Sequence, residues 1–202
     1  MRLAIAAFTD RGEALSKRIG KNVTRISGNV SLADWTAARF ADSDALLFVG
    51  AAGIAVRAIA PHVKSKATDP AVLVADEAGR FVIPILSGHL GGANALAEEI
   101  AAKLQATAVI TTATDLRGVF AVDLWAKAQG MTVLQSERIR RVSAKLLAGE
   151  SAAIDCPWPI EGTPPEGVRL GSDADVIVSV RPEAGDALQS CTDHVTDHAL
   201  IT

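Results

Sequence analysis

Short apolar runs that alternate with helical stretches are the feature that most constrains the fold of this chain. The runs at residues 2–8 (RLAIAAF), 44–50 (DALLFVG) and 71–76 (AVLVAD) are almost continuously apolar, as is typical of strands buried on both faces. Helical spacing separates them, most clearly at 93–104, where apolar residues recur at i, i+3, i+4, i+7 and i+8. This alternation predicts an α/β fold: a three-layer, Rossmann-like, mainly parallel sheet with helices on both faces.

One pair of strands breaks the parallel pattern. The runs AVLVAD and RFVIPIL are separated only by Glu77, Ala78 and Gly79, which is too short for a crossover helix and typical of a β-hairpin. We therefore expect one antiparallel pair, with Gly79 in the left-handed conformation.

A change of composition near Gln135 predicts a second domain. A charged helical stretch follows at 136–150, then the segment CPWPIEGTPPEG, rich in proline and glycine, and then a strand-like run at 174–181. We expect a Rossmann-like domain over residues 1–135 and a smaller α/β domain over 136–202 that ends in a disordered tail. His194 and His198 in this tail have the i, i+4 spacing of metal ligands, but an ordered helix is not expected there, so no metal site is predicted.

Charge and hydropathy exclude several classes of protein. The net charge of −3 among 202 residues gives no field that would attract nucleic acid or an anionic membrane. The longest apolar stretch, at 45–60, is interrupted by two glycines and by Arg57, so no membrane span is expected. The two cysteines lack the paired spacing of a zinc site and favour a reducing compartment, which predicts a cytoplasmic protein.

Three strand-to-helix corners are candidates for a binding site. Ligands of open α/β sheets bind where the carboxyl ends of strands meet the amino ends of helices. The corners are VGAAGIAVR at 49–57, ILSGHLGGAN at 85–94, and TTATDLRG at 111–118, which follows the strand-like start of TAVITTATD. We expect all three to contribute to one site.

The second corner places His89 among glycines at the start of a helix. Gly88, Gly91 and Gly92 are expected to leave N–H groups uncovered for an anion, and an imidazole, with an ordinary pKa near 6.5, could relay protons there. The alternative is that His89 packs at a turn and the glycines serve backbone geometry. Ser87 lacks the G-x-S-x-G frame of a nucleophile elbow, so a covalent serine mechanism is not expected.

The other two corners offer a cation, hydroxyls and a carboxylate. Gly53 permits a tight turn, and Arg57 is suited to holding a carboxylate or phosphate. Thr111 and Thr112 provide hydroxyls, and Asp115 either orients a histidine or water or acts as an N-cap. Asp69, which precedes a proline, is interpreted as a turn residue.

Two long stretches, GAAGIAVRAIAPHVKSKATDPAVLVADEAGRFVIPILSGHLGGANALAEEIA at 50–101 and ITTATDLRGVFAVDLWA at 110–126, carry a family resemblance. They resemble the amino-terminal part of the cobalt-precorrin-5A hydrolase family, which acts in the oxygen-independent route to cobalamin. The resemblance is dense over about residues 45–130. It implies hydrolysis of the δ-lactone of a cobalt corrinoid fringed with carboxylates, with release of acetaldehyde. Cobalt is then part of the substrate, and no cofactor is expected.

Under this resemblance the candidate residues take provisional roles. His89 is expected to relay protons and Asp115 to orient a reacting group. Residues expected to contact the substrate are Gly53, Arg57, Ser87, Gly88, Gly91, Gly92, Asn94, Thr111 and Thr112.

Three readings of the whole chain stay open. Longer members of the family continue into a carboxyl-terminal domain; if that domain supplies part of the site, activity needs it or another cobalamin-pathway enzyme as a partner. The alternative is a non-catalytic module that binds a corrinoid. A nucleotide-binding domain is disfavoured because the glycines do not follow the G-x-G-x-x-G pattern.

Overall fold

The computed structural model describes residues 1–65, 68–89, 91–135, 138–180 and 199–201. The chain divides into two compact units, Met1–Thr112 and Ala113–Thr202, whereas the predicted boundary followed residue 135. The two boundaries differ because residues 113–135 continue the alternation of helix and strand. This periodicity predicts a strand but does not show which of the two sheets the strand joins. The strand at 132–133 pairs with a strand of the second unit.

A six-stranded sheet forms the centre of the first unit. Its strands are β1 (Leu3–Ala7), β2 (Val23–Arg25), β3 (Ala45–Val49), β4 (Ala71–Ala75), β5 (Phe81–Leu86) and β6 (Thr107–Ala108), in the order β2-β1-β3-β4-β5-β6. Strands β1 to β4 are mutually parallel. Strand β5 is antiparallel to β4, and β6 is parallel to β5. Two neighbouring strands therefore run opposite to the other four.

Helices cover both faces of this sheet, which confirms the predicted three-layer α/β fold. They are α1 (Asp10–Ile19), α2 (Leu32–Asp42), α3 (Ala52–Ile59) and α4 (Ala93–Leu104). Helices α1 and α4 pack on one face through residues such as Leu15 and Ile100, and α2 and α3 pack on the other through Trp35 and Ile59. Strands β3 and β4 are buried along their whole length, because helices exclude water from both faces.

Several local signals in the sequence are confirmed. Gly79 in the β4–β5 turn has φ +70°, the left-handed conformation that the hairpin requires. Ser31 caps α2, since its hydroxyl accepts a hydrogen bond from the Asp34 N–H at 3.3 Å. The apolar positions of α4 are all buried, namely Ala93, Leu96, Ala97, Ile100, Ala101 and Leu104.

The second unit is a smaller α/β unit. Its elements are α5 (Ala113–Leu116), α6 (Val122–Ala128), β7 (Thr132–Val133), α7 (Ile139–Leu147), β8 (Ala152–Asp155), β9 (Val168–Leu170), β10 (Val176–Val180) and β11 (Ala199–Ile201). The sheet order is β7-β11-β10-β8-β9. Strands β8, β9 and β10 are parallel, and β11 joins β10 antiparallel.

A half-buried ion pair ties α7 to the sheet of the second unit. Lys145 Nζ lies 2.8 Å from Asp175 Oδ2, and the Ala153 N–H donates to the same oxygen at 2.9 Å. The hydrogen bond from Lys145 is the main cause of a lowered pKa of the Asp175 carboxyl, with the Ala153 N–H adding to it against the opposing effect of burial. The ionised form of Asp175 is therefore part of the folded structure.

Within the described ranges, no helix is long and apolar enough to span a bilayer.

Candidate functional site

The reversal of β5 separates the three predicted corners. Leu86, at the end of β5, pairs with Val72 near the start of β4, whereas Val49, at the end of β3, pairs with Ala75 at the end of β4. We call these two sides of the sheet the His89 edge, at Val72 and Leu86, and the Arg57 edge, at Val49 and Ala75. They are separated by roughly 10 Å along β4, the three residue steps from Val72 to Ala75 at about 3.3 Å each. The structure thus places the first corner at a different edge of the sheet from the second corner.

The first corner lies at the Arg57 edge. Gly53 is the second residue of α3 and has no positive φ, so it belongs to the helix and not to the tight turn expected of it. A Cβ built on Gly53 would lie 3.5 Å from Arg57 Nη1, which shows that the guanidinium folds back towards the first turn of α3. Arg57 is exposed. The structure therefore does not bring Arg57 and Gly53 together with His89.

The second corner and residues 111–112, the first two residues of the third corner, meet at the His89 edge. Strand β6 is shorter than expected, but segment 109–112 continues in the direction of β5 and starts with a hydrogen bond from the Val109 N–H to the Val82 carbonyl. At the end of this segment Asn94 Nδ2 donates to Thr112 Oγ1 at 3.0 Å. Thr111 is exposed and Thr112 is half-buried. Asn94 and Thr112 thus connect the start of α4 with the chain that follows β6.

The predicted uncovered N–H groups at the start of α4 are mostly hydrogen-bonded. Three successive N–H groups donate to carbonyl groups of the preceding turn: Gly92 to His89 at 2.9 Å, Ala93 to Ser87 at 3.1 Å and Asn94 to Gly88 at 3.0 Å. The expectation is therefore wrong for Gly92, because the tight turn itself satisfies the first N–H groups of the helix. An anion at this turn would need other donors.

Close packing accounts for the other two glycines of this turn. A Cβ on Gly91 would lie 2.7 Å from the Ser87 carbonyl oxygen, and one on Gly88 would lie 2.8 Å from Asn94 Oδ1, distances that real Cβ contacts do not show. Gly91 thus serves the backbone geometry of the turn, as the alternative interpretation has it, whereas the close contact at Gly88 is with the Asn94 side chain. Their contact with a substrate stays a prediction.

Ser87 is held inside the fold. Its side chain is 8% exposed, its backbone has φ +56°, and its hydroxyl donates to the Asp69 carbonyl at 3.0 Å. The interpretation of Asp69 as a turn residue is confirmed, since its Oδ2 accepts from the N–H groups of Lys64 at 2.8 Å and Ser65 at 2.9 Å. Its link to Ser87 was missed, because the two residues are 18 positions apart and no local pattern marks such a contact.

His89 is half-buried within this turn. Asp115 is exposed and is the third residue of α5 in the second unit, so it is not an N-cap. Its predicted role in orienting a reacting group stays a prediction. The described part of the chain contains no group of three or more His, Cys, Asp or Glu side chains that could hold a metal ion, and His194 and His198 lie outside the described residues.

Two regions of the sequence match known families. Residues 34–115 match the family described as "Cobalamin synthesis G N-terminal", and residues 120–200 match "Cobalamin biosynthesis central region". The two matches meet close to the division between the compact units.

Curated relatives are named cobalt-precorrin-5A hydrolase. The protein of that name from Priestia megaterium is 32% identical over 208 residues, which cover 90% of this chain and 55% of that protein. The protein from Salmonella typhimurium is 42% identical over 134 residues, which cover 60% of this chain and 38% of that protein. This chain therefore spans about half of the length of the first relative and less of the second.

A crystal structure described as a homologue of cobalamin biosynthesis protein G, from Sulfolobus solfataricus, has the same fold. It superposes with a TM-score of 0.54 and 22% identity, over 100% of this chain and 60% of that one. Because the family matches lie in the expected order and cover most of residues 34–200, the chain belongs to the cobalamin biosynthesis G family, of which it carries the amino-terminal and central regions.

Proposed function

We propose that this chain contributes to a cobalt-precorrin-5A hydrolase and opens the δ-lactone of its substrate at the His89 edge. The observation that carries the proposal is the placement of His89, half-buried in the turn that leads into α4, where Asn94 in the first turn of the helix is hydrogen-bonded to Thr112 at 3.0 Å. Parallel strands end there next to a helix start, which is where α/β proteins bind ligands.

The reaction adds water to the lactone carbonyl and breaks the ester C–O bond. The products of this step are a carboxylic acid and an alcohol that is still attached to the macrocycle. The alcohol then loses its proton and becomes acetaldehyde as the carbon–carbon bond breaks. The electron pair of that bond stays with the macrocycle, which takes up a proton. Each step therefore needs a net proton transfer, from the attacking water to the leaving ester oxygen in the first and from the alcohol to the macrocycle carbon in the second.

In this proposal His89 relays these protons, because an imidazole is the side chain that exchanges a proton most readily near neutral pH. The hydroxyl of Thr112 accepts from Asn94 and retains its own proton, which it donates to the oxyanion or to a substrate carboxylate. Thr111 is the exposed neighbour and a second hydroxyl contact. The orienting role of Asp115, which belongs to the second unit, stays a prediction.

Arg57 and Gly53 have no part in this lactone-opening group. They lie at the Arg57 edge, across the length of β4 from His89. Contact of Arg57 with a carboxylate elsewhere on the substrate stays a prediction.

Acetaldehyde release from cobalt-precorrin-5A tests the proposal. The purified chain is assayed alone and together with the carboxyl-terminal remainder of the Priestia megaterium relative, and the remainder alone is the control. We expect acetaldehyde only in mixtures that contain this chain. Absence of acetaldehyde from every mixture would contradict the proposal.

A second candidate function follows from the length of the chain. Because it covers 55% of one relative and 38% of another, it is also suited to be a non-catalytic module that binds the corrinoid. The same mixtures separate the two functions: corrinoid binding, followed by its visible absorbance, without acetaldehyde in any mixture supports the module.

A further inference from the structure

We propose that Ser87 and Asp69 are positioning residues that fix the turn carrying His89. The hydrogen bonds that form this anchor are independent of the reaction, whereas its effect on turnover rests on the proposed function. Neither residue is placed in contact with the substrate.

The first step of the argument is the backbone of Ser87. Its φ of +56° lies in the left-handed region, which residues other than glycine, asparagine and aspartate adopt infrequently. Such a conformation persists where the surrounding structure determines it, and it is concentrated at functional sites. Ser87 therefore needs partners that hold it.

Three contacts hold Ser87 in this conformation. Its hydroxyl donates to the Asp69 carbonyl at 3.0 Å, and its own carbonyl accepts from the Ala93 N–H at 3.1 Å. Gly91 packs directly against it, since any side chain at 91 would overlap Ser87. Ser87 and Asp69 are each 8% exposed, so water does not compete effectively for their hydrogen bond.

Asp69 is itself fixed by the loop that precedes β4. Its carboxylate oxygen Oδ2 accepts two N–H groups, from Lys64 at 2.8 Å and Ser65 at 2.9 Å, and its N–H donates to the Ser65 carbonyl at 2.8 Å. These bonds hold the Asp69 carbonyl two residues before a fully buried strand. A hydrogen-bonded connection thus runs from the residues before β4 through Asp69 to Ser87, and His89 follows two residues later.

The test compares four variants by two readouts. Ser87→Ala removes the hydroxyl, and Ser87→Gly removes the hydroxyl and also the conformational cost of the positive φ. Asp69→Ala leaves two loop N–H groups without their acceptor, whereas Asp69→Asn is the matched control that keeps an oxygen at this position. The readouts are the ¹⁵N NMR resonances of the His89 imidazole, assigned with His89→Gln, and the kcat for acetaldehyde release.

We expect S87A, S87G and D69A to shift or broaden the His89 resonances and to lower kcat roughly 10- to 100-fold, with KM little changed, because small misplacement of a reacting group has effects of that size. D69N should retain the wild-type spectrum and most of kcat. A fall in kcat in S87G would show that the hydroxyl itself is needed. If only a positive φ were needed, glycine would supply it and kcat would be retained.

Unchanged His89 resonances in S87A and D69A would overturn the anchor. Changed resonances with wild-type kcat would overturn its role in positioning. If D69A does not fold, the resonances and kcat of S87A and S87G decide whether the anchor positions His89. An inactive wild-type mixture would remove the proposed function and with it the effect on turnover, while the NMR comparison would still decide whether the anchor exists.

Discussion

Asn94, in the first turn of α4, donates a hydrogen bond from Nδ2 to Oγ1 of Thr112, the residue with which the first unit ends, at 3.0 Å. This bond joins the His89 turn to the chain that follows β6. A double-mutant cycle of Asn94→Ala and Thr112→Val should give a coupling free energy of about 0.5–1.5 kcal/mol in urea unfolding. Thr112→Ser keeps the hydroxyl and is the control. Strictly additive effects of the two substitutions would show that the bond does not contribute.

Gly91 should not tolerate a side chain. Because a Cβ there would lie 2.7 Å from the Ser87 carbonyl oxygen, Gly91→Ala must displace the turn, and we expect a loss of roughly 1–3 kcal/mol in unfolding free energy. The matched control is Gly28→Ala, since a Cβ on Gly28 has no heavy atom within 4 Å, and an effect within about 0.5 kcal/mol is expected there. Equal effects of the two substitutions would contradict the close packing of the turn.

The variant Arg57→Ala tests whether the two sheet edges act separately. Since Arg57 lies at the opposite edge of the sheet from His89, Arg57→Ala should leave the kcat for acetaldehyde release at the wild-type value. A large fall in kcat, with the variant still folded by circular dichroism, would show that the guanidinium reaches the reacting group.

The sequence predicted the elements well because their signals are local. The buried spacing of α4, the cap at Ser31 and the positive φ of Gly79 each depend on residues within a few positions of one another. The hairpin was predicted too, yet its consequence for the site was not. Once β5 reverses and β6 follows it, the end of β5 lies beside the start of β4, and Arg57 is separated from His89.

Contacts between distant segments account for what sequence analysis missed. Ser87 and Asp69 are 18 positions apart, and neither periodicity nor turn chemistry pairs them. The hydrogen-bonded state of the Gly92 N–H also depends on how the turn closes on itself, which glycine spacing alone does not reveal.

The second unit should lose stability in acid through Asp175. Its carboxyl pKa is lowered in the folded state, mainly by the hydrogen bond from Lys145, so its contribution is complete above the unfolded pKa of about 3.9 and is lost as the pH falls through the lower folded value. We expect Asp175→Asn to reduce the unfolding free energy by about 1–3 kcal/mol at neutral pH, and the difference from wild type to shrink below about pH 4. Urea unfolding at a series of pH values measures this, and a constant difference across that series would contradict it.

The most direct measurement is acetaldehyde release from cobalt-precorrin-5A by His89→Ala in the mixture where the wild-type chain is active. His62→Ala is the control, because His62 packs against Phe40 of α2 with ring centroids 5.7 Å apart and is not assigned a role in the reaction. We predict that His89→Ala lowers turnover at least about a hundredfold with an unchanged melting temperature, whereas His62→Ala remains active. Wild-type turnover by His89→Ala would contradict the account.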